Sequence, residues 1–306
     1  MIEAIHPTPT AFTAAEQKLL ADAAAYLESP GLFIRLADML GKPAEALMTF
    51  LPDRAQKLIS QTSMDALRLG LDWAIRSLPE QEQALALYAN GQGSPLRRWW
   101  RRNRHTALAG LTGVSGGMFG VAAAAVEIPA TTVVMLRSIA GIAMENGADL
   151  DDPATRLECL AVFSFGSKEL EDMDSAYLTA RVGLAMALQQ AQAYLATHTS
   201  REVAEALAKG TAPMLVRFLA RVAQRFEFVV TEQLAARLVP IVGAISGGAI
   251  NAAFTDHFNR VARFHFAIVA LERRYGREPV QAAYRAALEA RHNTERANME
   301  RAMARG

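Results

Sequence analysis

Residues 97–147 read RRWWRRNRHTALAGLTGVSGGMFGVAAAAVEIPATTVVMLRSIAGIAMENG. Five arginines and two tryptophans crowd the first eight positions, Arg97 to Arg104. From Thr106 to Val126 there is no charge at all, and Glu127 is the only charged residue between Thr106 and Leu136. Glycine and alanine in that run let helices approach closely. The apolar positions after Pro129 recur at helical spacing, and Pro129 suits a first helical turn. Asn146-Gly147 then supplies a stop, because glycine readily takes the left-handed conformation that ends helices. A glycine-rich helical hairpin behind a basic collar is the expected structure.

A second stretch of this kind, LVPIVGAISGGAINAAF, occupies 238–254. Ser115-Gly116-Gly117 leads into a helix expected to end at Gly147, and Ser246-Gly247-Gly248 into one expected to end at Gly276. Two similar hairpins packed together explain the echo. Chance matching of small residues in an alanine-rich chain explains it as well.

Elsewhere helical periodicity is nearly continuous and alternating strand patterns are almost absent. The expected fold is all-α, a multi-helix bundle built around the two Gly-rich hairpins. Thr13-Ala14-Ala15-Glu16 fits a capping box, with Leu19, Leu20, Ala23 and Leu27 following on one face. Ser29-Pro30-Gly31 breaks that helix, short helices follow, and Pro52-Asp53 starts a long one reaching about Leu78. Pro79 and Asn90-Gly91-Gln92-Gly93-Ser94-Pro95 place a boundary near residue 94. Asp151-Asp152-Pro153 predicts a capped helix through Phe165, with another from about Asp172 to Ala196 and short ones from about Ser200 and Pro213. Three regions result: an N-terminal helical region, 1–94; a helical core with both hairpins, 95–276; and a solvated C-terminal helix and tail, 277–306.

Composition narrows the function. The chain has 306 residues, 51% of them hydrophobic, and a formal charge of +1. A balanced charge argues against a polyanion binder driven by bulk electrostatics. The single Cys159 excludes an internal disulfide and a multi-cysteine metal site, and its apolar surroundings predict a buried, inert thiol. The opening MIEAIHPTPTAF lacks the basic and then apolar pattern of a secretory signal, so a cytoplasmic protein is expected, peripheral at the inner membrane face if it docks there.

Several strings together resemble the EcsC family: SPGLFIRLADMLGKP (29–43), VEIPATTVVMLRSIAGIAMENGADL (126–150), RLECLAVFSFG (156–166) and VPIVGAISGGAINAAFTDHF (239–258), with Arg274-Tyr275-Gly276 closing the last helix. The resemblance covers about residues 29–276. It implies a bacterial, mostly helical protein on the cytoplasmic side. The family is named after an operon that also encodes an ABC transporter, which implies membrane-linked work with membrane transport proteins as partners. It carries no settled catalytic residues. The hairpin pattern is also similar to the membrane-associated helical domain behind some Era-like GTPase domains, but this chain has no GxxxxGK[ST] loop.

Arg97, Arg98, Trp99, Trp100, Arg101 and Arg102 are the candidate docking residues. Arginine attracts anionic headgroups, and tryptophan favours the interface because its ring is apolar and its N–H polar. A solvated helix with inward-packed tryptophans is the plainer alternative. Nucleic acid is not expected, since no further basic stripe extends the footprint. Residues 106–126 number 21, the length of a membrane span, but only six are Leu, Ile, Phe or Val. Buried or interfacial hairpins are expected rather than spans.

Polar residues in and beside the apolar stretches are the candidate pocket: Glu127, Arg137, Asn251, Asp256 and His257. Each has a plainer role. Glu127 suits the start of a helix, where a carboxylate meets the positive end of the dipole. Asp256 can pair with Arg260 one turn on. Asn251, Thr255 and His265 fall near one helical face, away from Asp256, Arg260 and Arg263. No HExxH and no strand-borne phosphate loop is present, and Ser115-Gly116-Gly117 and Ser246-Gly247-Gly248 read as flexible small-residue turns, so neither a catalytic residue nor a metal or cofactor is expected. The leading expectation is a membrane-associated scaffold or accessory factor of a transport system. The alternatives are an enzyme of unrecognised mechanism using Glu127, Arg137, Asp256 and His257, and a soluble helical adaptor.

Overall fold

Thr13 starts the first helix, α1 (Ala14–Leu27), by the expected reciprocal cap: its backbone N–H donates to Glu16 at 2.8 Å and its hydroxyl accepts from the Glu16 N–H. The computed structural model describes residues 11–29, 53–75, 118–165, 175–238 and 247–304. Within these lie α2 (Asp53–Ile75), α3 (Met118–Glu145), α4 (Pro153–Ala161), α5 (Ala176–Thr197), α6 (Ser200–Lys209), α7 (Pro213–Leu238), α8 (Gly247–Tyr275) and α9 (Arg277–Met303). The described residues contain no strand, and the chain is all-α.

Local sequence explains most of the helix ends. Asp152 caps α4 with its side chain on the Ala154 N–H, and Pro153 follows where no N–H is needed. Thr199 and Glu202 form a second capping box on α6, which Gly210 ends in the left-handed conformation. Gly147, beyond α3, and Gly276, between α8 and α9, also have positive φ, at 72° and 87°. Beyond α3 the Ala148 N–H returns to the Ala143 carbonyl, the bond that closes a glycine stop.

The core is organised around 156–165. Leu157 and Cys159 through Phe165 are buried, and α4 runs directly into a 3-10 turn, Val162–Ser164. Phe163 packs against Phe226 of α7 and Phe258 of α8, both with ring centres 5.0 Å away. One stripe of α7 supplies Leu215, Phe218, Leu219, Val222, Phe226, Val229 and Val230, a helical repeat of steps of three and four. On the other side α2 packs against α3, α4 and α7, and α3 against α8. Arg156, itself buried, donates to the carbonyls of Ala74 and Leu150, each at 2.7 Å, and so ties the end of α2 to the start of α4. The buried Cys159 thiol is pushed well above the usual thiol range by burial, so it stays protonated and unreactive.

Three expectations need correction. Pro129 lies inside α3 rather than in its first turn, because the helix already begins at Met118. The helix from Pro213 is long, since its apolar stripe continues through Val230. The terminal helix α9 is not solvated all round: Val280, Tyr284 and Leu288 are buried as it packs on α1 and α8. The two helices that follow the Ser-Gly-Gly sequences, α3 and α8, pack against each other. The preceding glycine-rich arms, the boundary near residue 94 and the collar Arg97 to Arg102 lie outside the described residues.

Candidate functional site

A cavity of about 430 Å³ opens beside the core, between α4, α5, α8 and the first residue of α9. Helix α5 forms its wall with Arg181, Leu184, Ala185, Leu188, Gln189 and Gln192, which share a face by their steps of three and four. Gln192 donates to the Ala154 carbonyl at 3.2 Å and holds that wall to α4. Glu158, Ala161 and Phe165 come from the central segment, His265 from α8, and Arg277 from the start of α9. The size falls within the range of small-molecule sites.

The polar side of the cavity is a chain of buried groups. His265, 2% exposed, has its Nδ1 2.9 Å from the Tyr177 hydroxyl. Its Nε2 stands 3.4 Å from Glu158 Oε1, without hydrogen-bond alignment. Arg181 also lines the cavity, but its guanidinium is engaged by Glu272 through two bonds of 2.8 Å. Burial works against the Glu158 charge, yet the His265 ring and the Arg181 and Arg273 guanidiniums outweigh it and hold the carboxyl below its usual range. Burial likewise holds the His265 imidazole below its usual range, with Glu158 pulling the other way. The pair at neutral pH is an ionised Glu158 beside a neutral His265. Tyr177 is fully buried, and burial pushes its phenol up, so it keeps its proton.

Behind this chain lies a purely structural knot. Glu28, just beyond α1, accepts from the Ser175 hydroxyl, from the N–H groups of Ala176 at 2.7 Å and Tyr177 at 3.2 Å, and from the Tyr284 hydroxyl at 3.0 Å. The carboxylate therefore satisfies the open N–H groups of the first turn of α5, and that fixes Tyr177 under His265.

The residues expected from sequence sit elsewhere. Arg137 is exposed on α3. Asp256 is exposed and accepts from Arg260 at 2.9 Å. His257 is buried with its Nδ1 3.0 Å from the Tyr26 hydroxyl. None of these three lines the cavity. Glu127 and Asn251 fall within α3 and α8, with side chains outside the described part. Sequence reading missed Glu158, Arg181, His265, Glu272 and Arg277 as a group. One signal was available: Arg181 is the only Asp, Glu, Lys or Arg between Asp174 and Arg201, the same isolation that draws attention to Glu127.

Among the described residues, no set of three or more His, Cys, Asp or Glu could hold a metal ion. No helix among them is long and apolar enough to cross a membrane. No curated protein and no solved structure matches the chain. A profile of the EcsC protein family matches residues 34–268, which takes in Glu158, Arg181 and His265 and stops short of Glu272 and Arg277. That span is well over half of the chain, and it lies within the region where the quoted strings fall in order: this chain belongs to the EcsC protein family.

Proposed function

We propose that this EcsC family chain is a membrane-adjacent accessory protein that binds a small molecule in the cavity bounded by Glu158, Arg181 and His265. The observation that carries the reading is His265 Nε2. His265 lines the cavity, and its Nε2, itself covered, makes no aligned hydrogen bond among the described residues. Buried polar atoms are normally well paired, so one met only loosely, by Glu158 Oε1 at 3.4 Å, beside a cavity favours a ligand that completes the arrangement. A purely structural cluster would close on itself, as the Glu28 knot does. The test is a thermal-shift screen sorted by chemistry: alkylamines, alkanoates, sugars and nucleotides. A stabilising class whose effect disappears in Ala185→Trp, which fills the cavity, supports the reading. If no class stabilises the wild-type chain, it fails.

The place of action rests on a second observation, the run Arg97-Arg98-Trp99-Trp100-Arg101-Arg102. It favours peripheral docking on an anionic lipid surface at the cytoplasmic face of a bacterial membrane, where an accessory factor would meet a transport protein. Flotation with neutral and anionic vesicles tests this. Salt-sensitive binding to anionic vesicles, abolished when the four arginines become glutamate, is the expected result. Equal flotation of that variant would remove the docking role.

A further inference from the structure

Resting on the cavity's role as a binding site, its charge pattern narrows the ligand. Arg181 lines the wall, but both of its terminal nitrogens are held by Glu272 at 2.8 Å, so it offers no ready anion site. Arg273, the other cation near Glu158, donates to the carbonyls of Gly147 and Asn146. Glu158 is thus the carboxylate in the cavity lining that, among the described residues, no arginine engages directly, with its side chain 24% exposed. His265 Nε2 lies 3.4 Å away. The Tyr177 hydroxyl can either donate to His265 Nδ1 or accept from it. When it accepts, the ring carries its proton on Nδ1 and presents Nε2 as a bare acceptor beside a carboxylate. Two acceptors converging from a buried wall suit a group with several N–H donors and a positive charge. Leu184, Leu188 and Phe165 add apolar surface beside Gln189 and Gln192.

We propose that the cavity binds a primary ammonium group attached to a small apolar body, with the ammonium between Glu158 Oε1 and His265 Nε2. Such a cation is supplied either by a simple amine or by an amino acid. Arg277, exposed at the start of α9 and part of the lining, separates the two, because only the amino acid brings a carboxylate for it.

Calorimetric titration with 3-methylbutylamine, leucine and 4-methylpentanoate tests the proposal. The amine or leucine binds and the acid does not. Leucine binding more tightly than the amine, with the advantage lost in Arg277→Gln, identifies the amino-acid form. Equal binding of the two identifies the amine form. Glu158→Gln weakens the ammonium ligand by roughly 30-fold or more, since it removes one partner of a largely desolvated charge pair. Should that variant fold poorly, the wild-type protein still answers. Nitrogen NMR of His265 then shows Nε2 unprotonated in the amine-bound protein, and a protonated Nε2 in that complex overturns the placement. Binding of the acid alone, blocked by Ala185→Trp, overturns the ammonium assignment and leaves the cavity a binding site. If no chemical class binds, both fall together.

Discussion

Arg181 and Glu272 join α5 to α8 through two parallel hydrogen bonds of 2.8 Å, with side chains only 8% and 11% exposed. The planar guanidinium matches the carboxylate fork, and the low exposure limits screening by water. Removing one partner leaves the other charge uncompensated in a poorly solvated place. Glu272→Ala is therefore expected to cost about 3–5 kcal/mol of stability. Replacing both, as Arg181→Met with Glu272→Leu, is expected to cost less than the single change, because no stranded charge remains. Urea unfolding of the wild type, both single variants and the double variant measures this. A double variant weaker than Glu272→Ala would refute it.

The Glu28 carboxylate joins the end of α1 to the start of α5 and to Tyr284 of α9. Four donors converge on it, so the loss is a whole set of charge-assisted bonds rather than one. Glu28→Ala is expected to lower stability by about 3 kcal/mol, at the upper end for bonds to a charged group. Tyr284→Phe removes one of the four and is expected to cost about 1 kcal/mol. The same urea series checks both. Equal losses in the two variants would show that the bonds to α5 carry no weight.

The contrast between these two clusters explains what could be read in the sequence. Helix ends are local, so Thr13 with Glu16 and Asp152 with Pro153 declare themselves within four residues, and Gly147 and Gly276 stand where a left-handed backbone is needed. The fold class follows from periodicity for the same reason. The cavity is not local. Its charged and ring groups come from positions 158, 181, 265 and 277, on four helices, and nothing in the spacing brings Glu158 to His265. Asp256 and His257 attract attention by being adjacent, yet adjacent helical residues point about 100° apart. One meets Arg260 at the surface and the other Tyr26 inside.

Acid is expected to weaken the fold through His265. Its imidazole is held below the ordinary value of 6.5, first by burial, so the folded chain resists a proton that the unfolded chain accepts. Its contribution is full above about pH 6.5 and is lost as the pH falls toward the folded value, at no more than about 1.4 kcal/mol per pH unit. Glu158 adds a loss of the same sign below its ordinary value of 4.5, because its folded pKa is also lowered. His265→Gln, which keeps polar contacts without titrating, is expected to flatten the stability profile between pH 6.5 and 5. Parallel profiles for the variant and the wild type would mean that another group controls the acid limb.

Gly70 marks where α2 comes closest to its neighbours. A Cβ placed there would stand 2.6 Å from Leu160 Cδ2 and 3.3 Å from Leu136 Cδ2. Both leucines are at most 1% exposed, so neither has open space to turn into. Alanine gains roughly 1 kcal/mol of helix propensity over glycine, which offsets part of the crowding. Gly70→Ala is therefore expected to cost about 1 kcal/mol, because a buried leucine must shift to admit the Cβ. Gly70→Val adds two further carbons at the same contact and loses χ1 freedom, and it is expected to cost about 1–3 kcal/mol. A graded fall in the urea midpoint from glycine through alanine to valine is the predicted series. If valine matched the wild type, α2 would have room against α3 and α4, and the close approach at Gly70 would not be what sets their packing.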